Sequence, residues 1–545
     1  MRTLRFLFPG ILVLAISAPA LCDGPVRLVR IEKETAGLED ILRSEAVTVV
    51  QELRTCYIGR LDREETLSLR RRGIRVLILD REPASKTYFL VRADSAQTKE
   101  VLAAKGLVVV LEPGLLLFRA AAGEAPGFIP PNIARRRLPE ASISAGLRTY
   151  SRMVGPARRA ALDSLIERLV ERVSDTNLRA YVGSLTDLKT RYTYSPNSAA
   201  AASLILNHFL RQGMNAALQP VVFGGGNQTQ NVVAEITGQV YPSDVVLVCA
   251  HYDSTSQSPS TLAPGADDNA SGTAAVMEAA RVLAPCPMDF TVRFVAFGAE
   301  EQGLYGSEVY AGAMKISGER VVGVVNLDMI GYADRMPEDL DVVVNGQSDW
   351  LGERLSLDAA RYAGLSVNKT IDPSMIFSDH ASFWQSGFPA IIGIDDEPLT
   401  NPYYHGTGDL PGTLNYGFIG QAAKAALATV AGLGQLVKSG YPQTPSDLSG
   451  VSSFFNSFLG KRKNIYLSWP KTPGAAGYSI YRSESPHLDF KKVNDQLVKA
   501  ERFSDRGVTS GEYHYYVITA VDAAGLESNF SREIEIPPLP AKSGS

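Results

Sequence analysis

Between residues 231 and 394 the chain alternates short apolar segments with helical ones, and several of the apolar segments end in polar, Gly-rich turns. The strand-like runs are 231–236, 245–250, 273–283, 291–297, 321–327 and 390–394. Strands rich in Val and Phe that alternate with helices need cover on both faces. This predicts an α/β domain with a mixed, largely parallel sheet covered by helices. Ligands bind such sheets beyond the carboxyl ends of the strands. His251 follows 245–250, Glu300 and Glu301 follow 291–297, and Asp328 follows 321–327. Three separate motifs are therefore expected at one sheet edge.

The motifs read H-Y-D at 251–253, P-G-A-D-D-N-A-S-G at 264–272, F-G-A-E-E-Q-G-L-Y-G-S at 297–307, N-L-D-M at 326–329 and Y-Y-H-G-T-G-D at 403–409. Carboxylate and imidazole ligands without thiolate suit a catalytic zinc pair and point to a metallohydrolase. Taken singly, each motif has a plainer reading. A lone H-x-D can be a polar strand end; with His251 as a ligand, Asp253 would orient its imidazole. Asp267 and Asp268 could cap the helix that opens near 269–272. Glu300 and Glu301 could be a solvated helix start. Asp328 is harder to explain away, because a carboxylate ending a strongly apolar strand needs a partner or a metal.

With S-D-H-A-S-F-W at 378–384, the motifs resemble the zinc aminopeptidase family of the bacterial leucyl and Streptomyces type. Glutamate carboxypeptidase, glutaminyl cyclase and the transferrin receptor ectodomain are relatives of that family. The resemblance covers 156–440 and implies a zinc exopeptidase fold with two zinc ions. Asp268 would bridge them, His251 and Asp328 would complete one shell, and Glu301 and His405 the other. Glu300 would be the general base, Asp253 would hold His251, and peptide or protein N-termini would be the substrate. Asp379 and His380 would support the site rather than ligate. One departure stands out: a bacterial member carries a disulfide-bridged turn with a Tyr before S-D-H, whereas this chain reads P-S-M-I-F-S-D-H. Met375, Ile376 and Phe377 suggest an apolar pocket wall and a preference for apolar N-terminal residues. Tyr403 or Tyr404 is the candidate replacement for the missing Tyr. A carboxypeptidase or glutaminyl-cyclase-like hydrolase, or a non-catalytic receptor or adhesion protein, are the rival readings.

The remaining sequence frames this domain. Residues 1–20, with Arg2, Arg5 and an apolar run, resemble a secretory signal peptide, so a secreted protein without a stable membrane span is expected. Residues 25–120 mix strand and helix patterns and suggest an α+β propeptide or accessory domain. Residues 121–155, which include Pro130, Pro131 and Arg135–Arg137, read as a linker and a cleavage site. Residues 447–538 alternate as strands and resemble a fibronectin type III domain, with Trp469 in its core and Tyr513 or Tyr515 near a tyrosine corner. Contact with surfaces, carbohydrate or proteins would fall to that domain. A net charge of -4 argues against nucleic acid as a partner. Four Cys in a chain of 545 residues make disulfides a minor support, and Cys249 reads as a buried small hydrophobe.

Overall fold

The computed structural model describes residues 26–120, 129, 133–138 and 160–538, apart from 46, 84–85, 94–95, 397–398, 438, 458–459 and 488–489. The signal-peptide reading, Cys22 and most of the expected linker lie outside the described residues.

The amino-terminal part forms two small units. Strands β1 (Arg27–Glu32), β2 (Thr48–Glu52), β3 (Cys56–Leu61) and β4 (Val76–Asp80) make an antiparallel sheet in the order β2-β3-β1-β4. Helices Leu38–Ser44 and Arg63–Arg71 join them. The second is opened by Asp62, whose carboxylate accepts the Glu65 N–H while Glu65 returns a bond to the Asp62 N–H, a reciprocal cap. Strands β5 (Tyr88–Arg92), β6 (Gly106–Glu112), β7 (Leu115–Ala120) and β8 (Arg135–Arg137) repeat the same order, β6-β7-β5-β8. The first unit thus has the split β-α-β pattern, and the second repeats its strand order.

Strand β8 corrects the expectation of a linker across 121–155. It pairs antiparallel with β5, Val91 opposite Arg135 and Phe89 opposite Arg137. Arg136 is only 4% exposed and donates to the Ala381 carbonyl and to Gln385 Oε1. A run of three arginines carries no strand signal. Backbone pairing and buried acceptors on the neighbouring domain hold it in the sheet.

The central domain is built on eight strands: β9 (Asn215–Phe223), β10 (Asn227–Ile236), β11 (Tyr241–His251), β12 (Phe290–Phe297), β13 (Arg320–Leu327), β14 (Leu340–Val344), β15 (Val367–Ile371) and β16 (Ala390–Ile394). Their order is β15-β14-β16-β13-β11-β12-β10-β9. The centre is parallel, with β11 flanked by β12 and β13, and β13 by β16. The β9–β10, β10–β12 and β14–β16 pairings are antiparallel. From Asp244 to His251, β11 is buried on both faces, as a covered central strand must be. Segment 273–283, read above as a strand, lies in helix Gly272–Leu283. Every residue of that helix except Arg281 is buried, so no polar face marks the helical period, and its many alanines favour the helix.

Residues beyond 448 form two packed sheets. One holds Ser449–Ser457, Gly460–Ser468 and Arg502–Thr509; the other holds Gly477–Ser483, Lys491–Lys492, His514–Val521 and Ile534–Ile536. Trp469 is buried edge-on against Tyr478 between them. Tyr515 is buried, whereas Tyr513 is 37% exposed. This unit docks at the amino ends of the central strands. Arg532 Nε pairs with Asp244 Oδ2 at 2.8 Å, and Asn529 donates to Asp289 and to the Gln435 and Leu436 carbonyls. Asp244 and His251 lie at opposite ends of β11, about 23 Å apart along an extended strand. The C-terminal unit therefore buttresses the edge away from the motifs. No helix among the described residues is long and apolar enough to cross a membrane.

Candidate metal centre

The three strand-end motifs do meet. His251 ends β11, Glu300 and Glu301 follow β12, and Asp328 follows β13, all at one carboxyl edge. Asp268 arrives from the turn after Gly265, and His405 from the irregular segment near 401–409. Gly265 is required there. Its φ is +51°, and a Cβ would run into the Asp268 carbonyl oxygen and the Arg191 guanidinium. Three other residues hold left-handed backbone beside the site: Ala299 (φ 57°), Met329 (φ 53°) and His405 itself (φ 50°). Non-glycine residues rarely adopt this conformation, and here it turns the chain at each point where a polar side chain is delivered.

The side chains converge in two overlapping groups. His251 Nε2 lies 3.2 Å from Asp268 Oδ1 and 3.1 Å from Asp328 Oδ1. His405 Nε2 lies 3.2 Å from Asp268 Oδ2 and 3.1 Å from Glu301 Oε2. Asp268 thus offers one oxygen to each imidazole. Ligand atoms about 2.0–2.1 Å from a tetrahedral zinc are about 3.3 Å from one another, so the spacing about each imidazole suits zinc. Glu300 Oε2 stands 4.0 Å from His251 Nε2. All six residues are under 9% exposed, and four carboxylates face two imidazoles. That excess of buried negative charge calls for cations.

Electrostatics separate the carboxylates. Burial pushes Glu300 well above the usual carboxylate range, with His251 opposing and Glu301, Asp328 and Asp379 adding to the rise. Glu301 is raised to about 7 by burial, against the pull of His405. Asp268 goes the other way. Burial works against its charge, but hydrogen bonds from His251 and His405 outweigh that and hold it below the ordinary range.

Asp253 meets His251 through its backbone carbonyl rather than its carboxylate. Its carboxylate stands 3.7 Å from His251 Nδ1, which meets the Asp253 backbone carbonyl at 3.2 Å. The same carboxylate accepts the backbone N–H groups of Glu300 and Glu301 at 3.2 and 3.3 Å, and the Thr193 hydroxyl at 2.8 Å. Asp253 thereby ties the two glutamates to the β11 end.

Four supporting residues carried no readable sequence signal for their roles. Arg191 is fully buried and donates to the carbonyls of Tyr252, Pro264 and Gly265, the frame of the Asp268 turn. Asp409 accepts the backbone N–H groups of Asp267 and Asp268 at 2.8 and 3.0 Å. Ser378 donates to Asp328 Oδ2 at 2.6 Å and accepts from Asn326. Thr193 holds Asp253, as above. Asp409 and Ser378 lay within quoted motifs; Arg191 and Thr193 come from segments brought close by the fold.

The expected pocket residues divide. Met375, Phe377 and Tyr404 line the cavity over the cluster, together with Met329, Ile394 and Leu399. Tyr404 stacks on the His405 ring at 3.8 Å. Ile376 does not line it: it is fully buried among leucines of the amino-terminal units. Tyr403 is 37% exposed, packs edge-on to Tyr332 and is absent from the cavity wall. Successive residues of the 375–377 loop point to different sides, so an apolar triplet need not form one wall. His380 binds the Met375 carbonyl at 2.7 Å and so fixes that loop. Buried Asp379 lies close enough for its carboxyl to be raised to about 7 by burial, with His251 opposing.

Buried carboxylates and imidazoles converging at the carboxyl edge of a helix-covered mixed sheet define a metallohydrolase type of site. Comparison with known proteins makes the class specific. Residues 231–430 match the model of peptidase family M28. Over 278 residues the chain is 31% identical to a probable leucine aminopeptidase of Arthroderma otae, covering 48% of this chain and 74% of that protein. It is 37% identical over 186 residues to the aminopeptidase YwaD of Bacillus subtilis, covering 33% of this chain and 39% of that one. In structure it is similar to the LapA aminopeptidase of Legionella pneumophila, with a TM-score of 0.52 and 19% identity over 64% of this chain and 98% of that one. That last likeness speaks for the fold alone. The chain belongs to peptidase family M28 and, with it, to the zinc-dependent aminopeptidase class.

Proposed function

We propose that this peptidase is a secreted aminopeptidase that holds two zinc ions and releases apolar N-terminal residues. The observation that carries the reading is the pair of Asp268 oxygens, each within 3.2 Å of a different imidazole. His251, Asp268 and Asp328 would hold one ion; His405, Asp268 and Glu301 the other. Bound zinc would supply Lewis-acid polarisation of the scissile carbonyl and acidify water. Glu300 Oε2 stands farther from His251 Nε2, at 4.0 Å, than the Asp268 and Asp328 oxygens do at 3.2 and 3.1 Å, which makes it the candidate for proton transfer. It takes the proton of the attacking water and passes it to the leaving amine. Asp253 keeps Glu300 in place through its N–H. Met329, Met375, Phe377 and Ile394 provide an apolar wall for the side chain of the first residue. The C-terminal sandwich, read as a fibronectin type III-like module, would make surface or protein contacts away from the site.

The test is to purify the full chain, count zinc per molecule, and assay Leu, Met, Phe, Arg and Glu anilides with and without chelator. Two zincs and chelator-sensitive hydrolysis favouring Leu, Met or Phe are expected. A zinc-free protein inert towards every anilide sinks the reading.

A further inference from the structure

The cavity over the cluster is not made by the peptidase domain alone. Arg92, at the end of β5, and Ala134 and Arg135, entering β8, also line it. Apart from the two imidazoles, these guanidinium groups are the cationic side chains among the described residues of its wall. The amino-terminal units are firmly seated there. Arg54 Nη2 pairs with Asp372 Oδ2 at 2.8 Å, and Ser374 Oγ donates to Glu112 Oε2 at 2.7 Å. Leu304, Ile376 and Ala381 share one apolar cluster with Leu53, Leu90 and Leu117. Arg135 is part-buried and reaches Gln302 Oε1 at 3.5 Å and the Ile129 carbonyl at 3.4 Å; burial lowers its pKa, with Tyr192 and Glu301 opposing.

This wall has consequences for substrate. Its lining carries four carboxylates, which metal would neutralise, and two guanidinium groups. With the side chains in place the cavity holds about 40 Å³, room for a few waters, so an entering peptide must displace side chains of its wall. Arg92, Ala134 and Arg135 help close this small cavity, which leaves little room for a long chain past the scissile bond. A short peptide ends near that bond, and it ends in a carboxylate.

We infer that Arg135 and Arg92 bind the free carboxylate of short peptides, making the amino-terminal units part of the substrate site and the enzyme selective for short peptides over long ones. Guanidinium suits this task because it pairs with carboxylate through two parallel hydrogen bonds. The inference rests on the aminopeptidase reading and deepens it on the leaving-group side.

The experiment compares kcat/KM of the full chain for Leu-Ala, Leu-Ala-amide and Leu-Ala-Ala-Ala, beside Leu-anilide and zinc content as controls. Leu-Ala should exceed its amide by about 10-fold or more, the effect of one charge-assisted hydrogen bond. In Arg135→Gln and Arg92→Gln that ratio should shrink through a higher KM for Leu-Ala, with zinc content unchanged. The inference is overturned if the three peptides are cut equally, or if the ratio persists in both variants. It is also overturned if no peptide is cut until proteolysis removes the amino-terminal units, which would make β8 a plug. Loss of zinc and of Leu-anilide hydrolysis in the wild type would instead strike the aminopeptidase reading itself.

Discussion

Arg191 offers the sharpest test of how the site is held together. Its guanidinium has no carboxylate among its hydrogen-bond partners. It donates to three carbonyls, Tyr252 at 2.7 Å, Pro264 at 2.5 Å and Gly265 at 2.8 Å. Arg191→Met keeps much of the volume and removes every donor. Each orphaned buried carbonyl costs about 1–3 kcal/mol. Removing a desolvated charge, whose pKa burial has lowered to about 10, gives part of this back. A net loss of about 3 kcal/mol is expected, which lowers the melting temperature by roughly 6–9 °C in a domain of this size. Pro264 and Gly265 lead directly into Asp268, so zinc retention should fall with stability. A displacement near 1 Å can lower turnover by ~100-fold. Calorimetry, zinc analysis and kcat on Leu-anilide should move together, and Arg191→Lys should recover part of the loss. If Arg191→Met melts within a degree of wild type and keeps zinc and turnover, the turn is held by something else and the argument fails.

Other outcomes follow from the same geometry. Glu300→Gln should retain zinc and lose turnover by ~100-fold or more; normal activity would move the base to another residue. Glu301, raised by burial from 4.5 to about 7, binds more protons folded than unfolded between those values. Its contribution to the stability of the zinc-free protein is therefore full below about pH 4.5 and lost as pH rises through about 7, while zinc binding strengthens over that rise. Zinc titrations at pH 5.5 and 8 showing equal affinity would contradict this. Arg532→Ala strips buried Asp244 of its nearest cation and should cost about 1–3 kcal/mol by thermal melting. Its kcat/KM should stay at the wild-type value, because the pair sits at the far end of β11; a changed rate would show coupling along the strand.

The chemistry of the site was legible because each candidate ligand ends an apolar strand or sits in a Gly-rich turn. Strands β11, β12 and β13 are parallel and adjacent, so one rule about carboxyl edges brought His251, Glu300, Glu301 and Asp328 together before any coordinates. Asp268 and His405 stood out by motif. The helix Gly272–Leu283 was misread because burial all round erases its periodicity.

Residue type and order along the chain thus determined the α/β sheet and the edge at which the candidate donors gather. Only the tertiary structure decided what those donors rest on. Arg191 frames the Asp268 turn from about 75 residues upstream, and Ser378 reaches Asp328 from 50 residues downstream. It also decided that three arginines in an apparent linker form a strand against the cavity, and that Ile376 turns from the pocket while its neighbours enter it. Periodicity and motifs report what a segment does with its own neighbours. Buried hydrogen bonds and a wall shared between domains depend on partners far apart in sequence, and no local pattern encodes them.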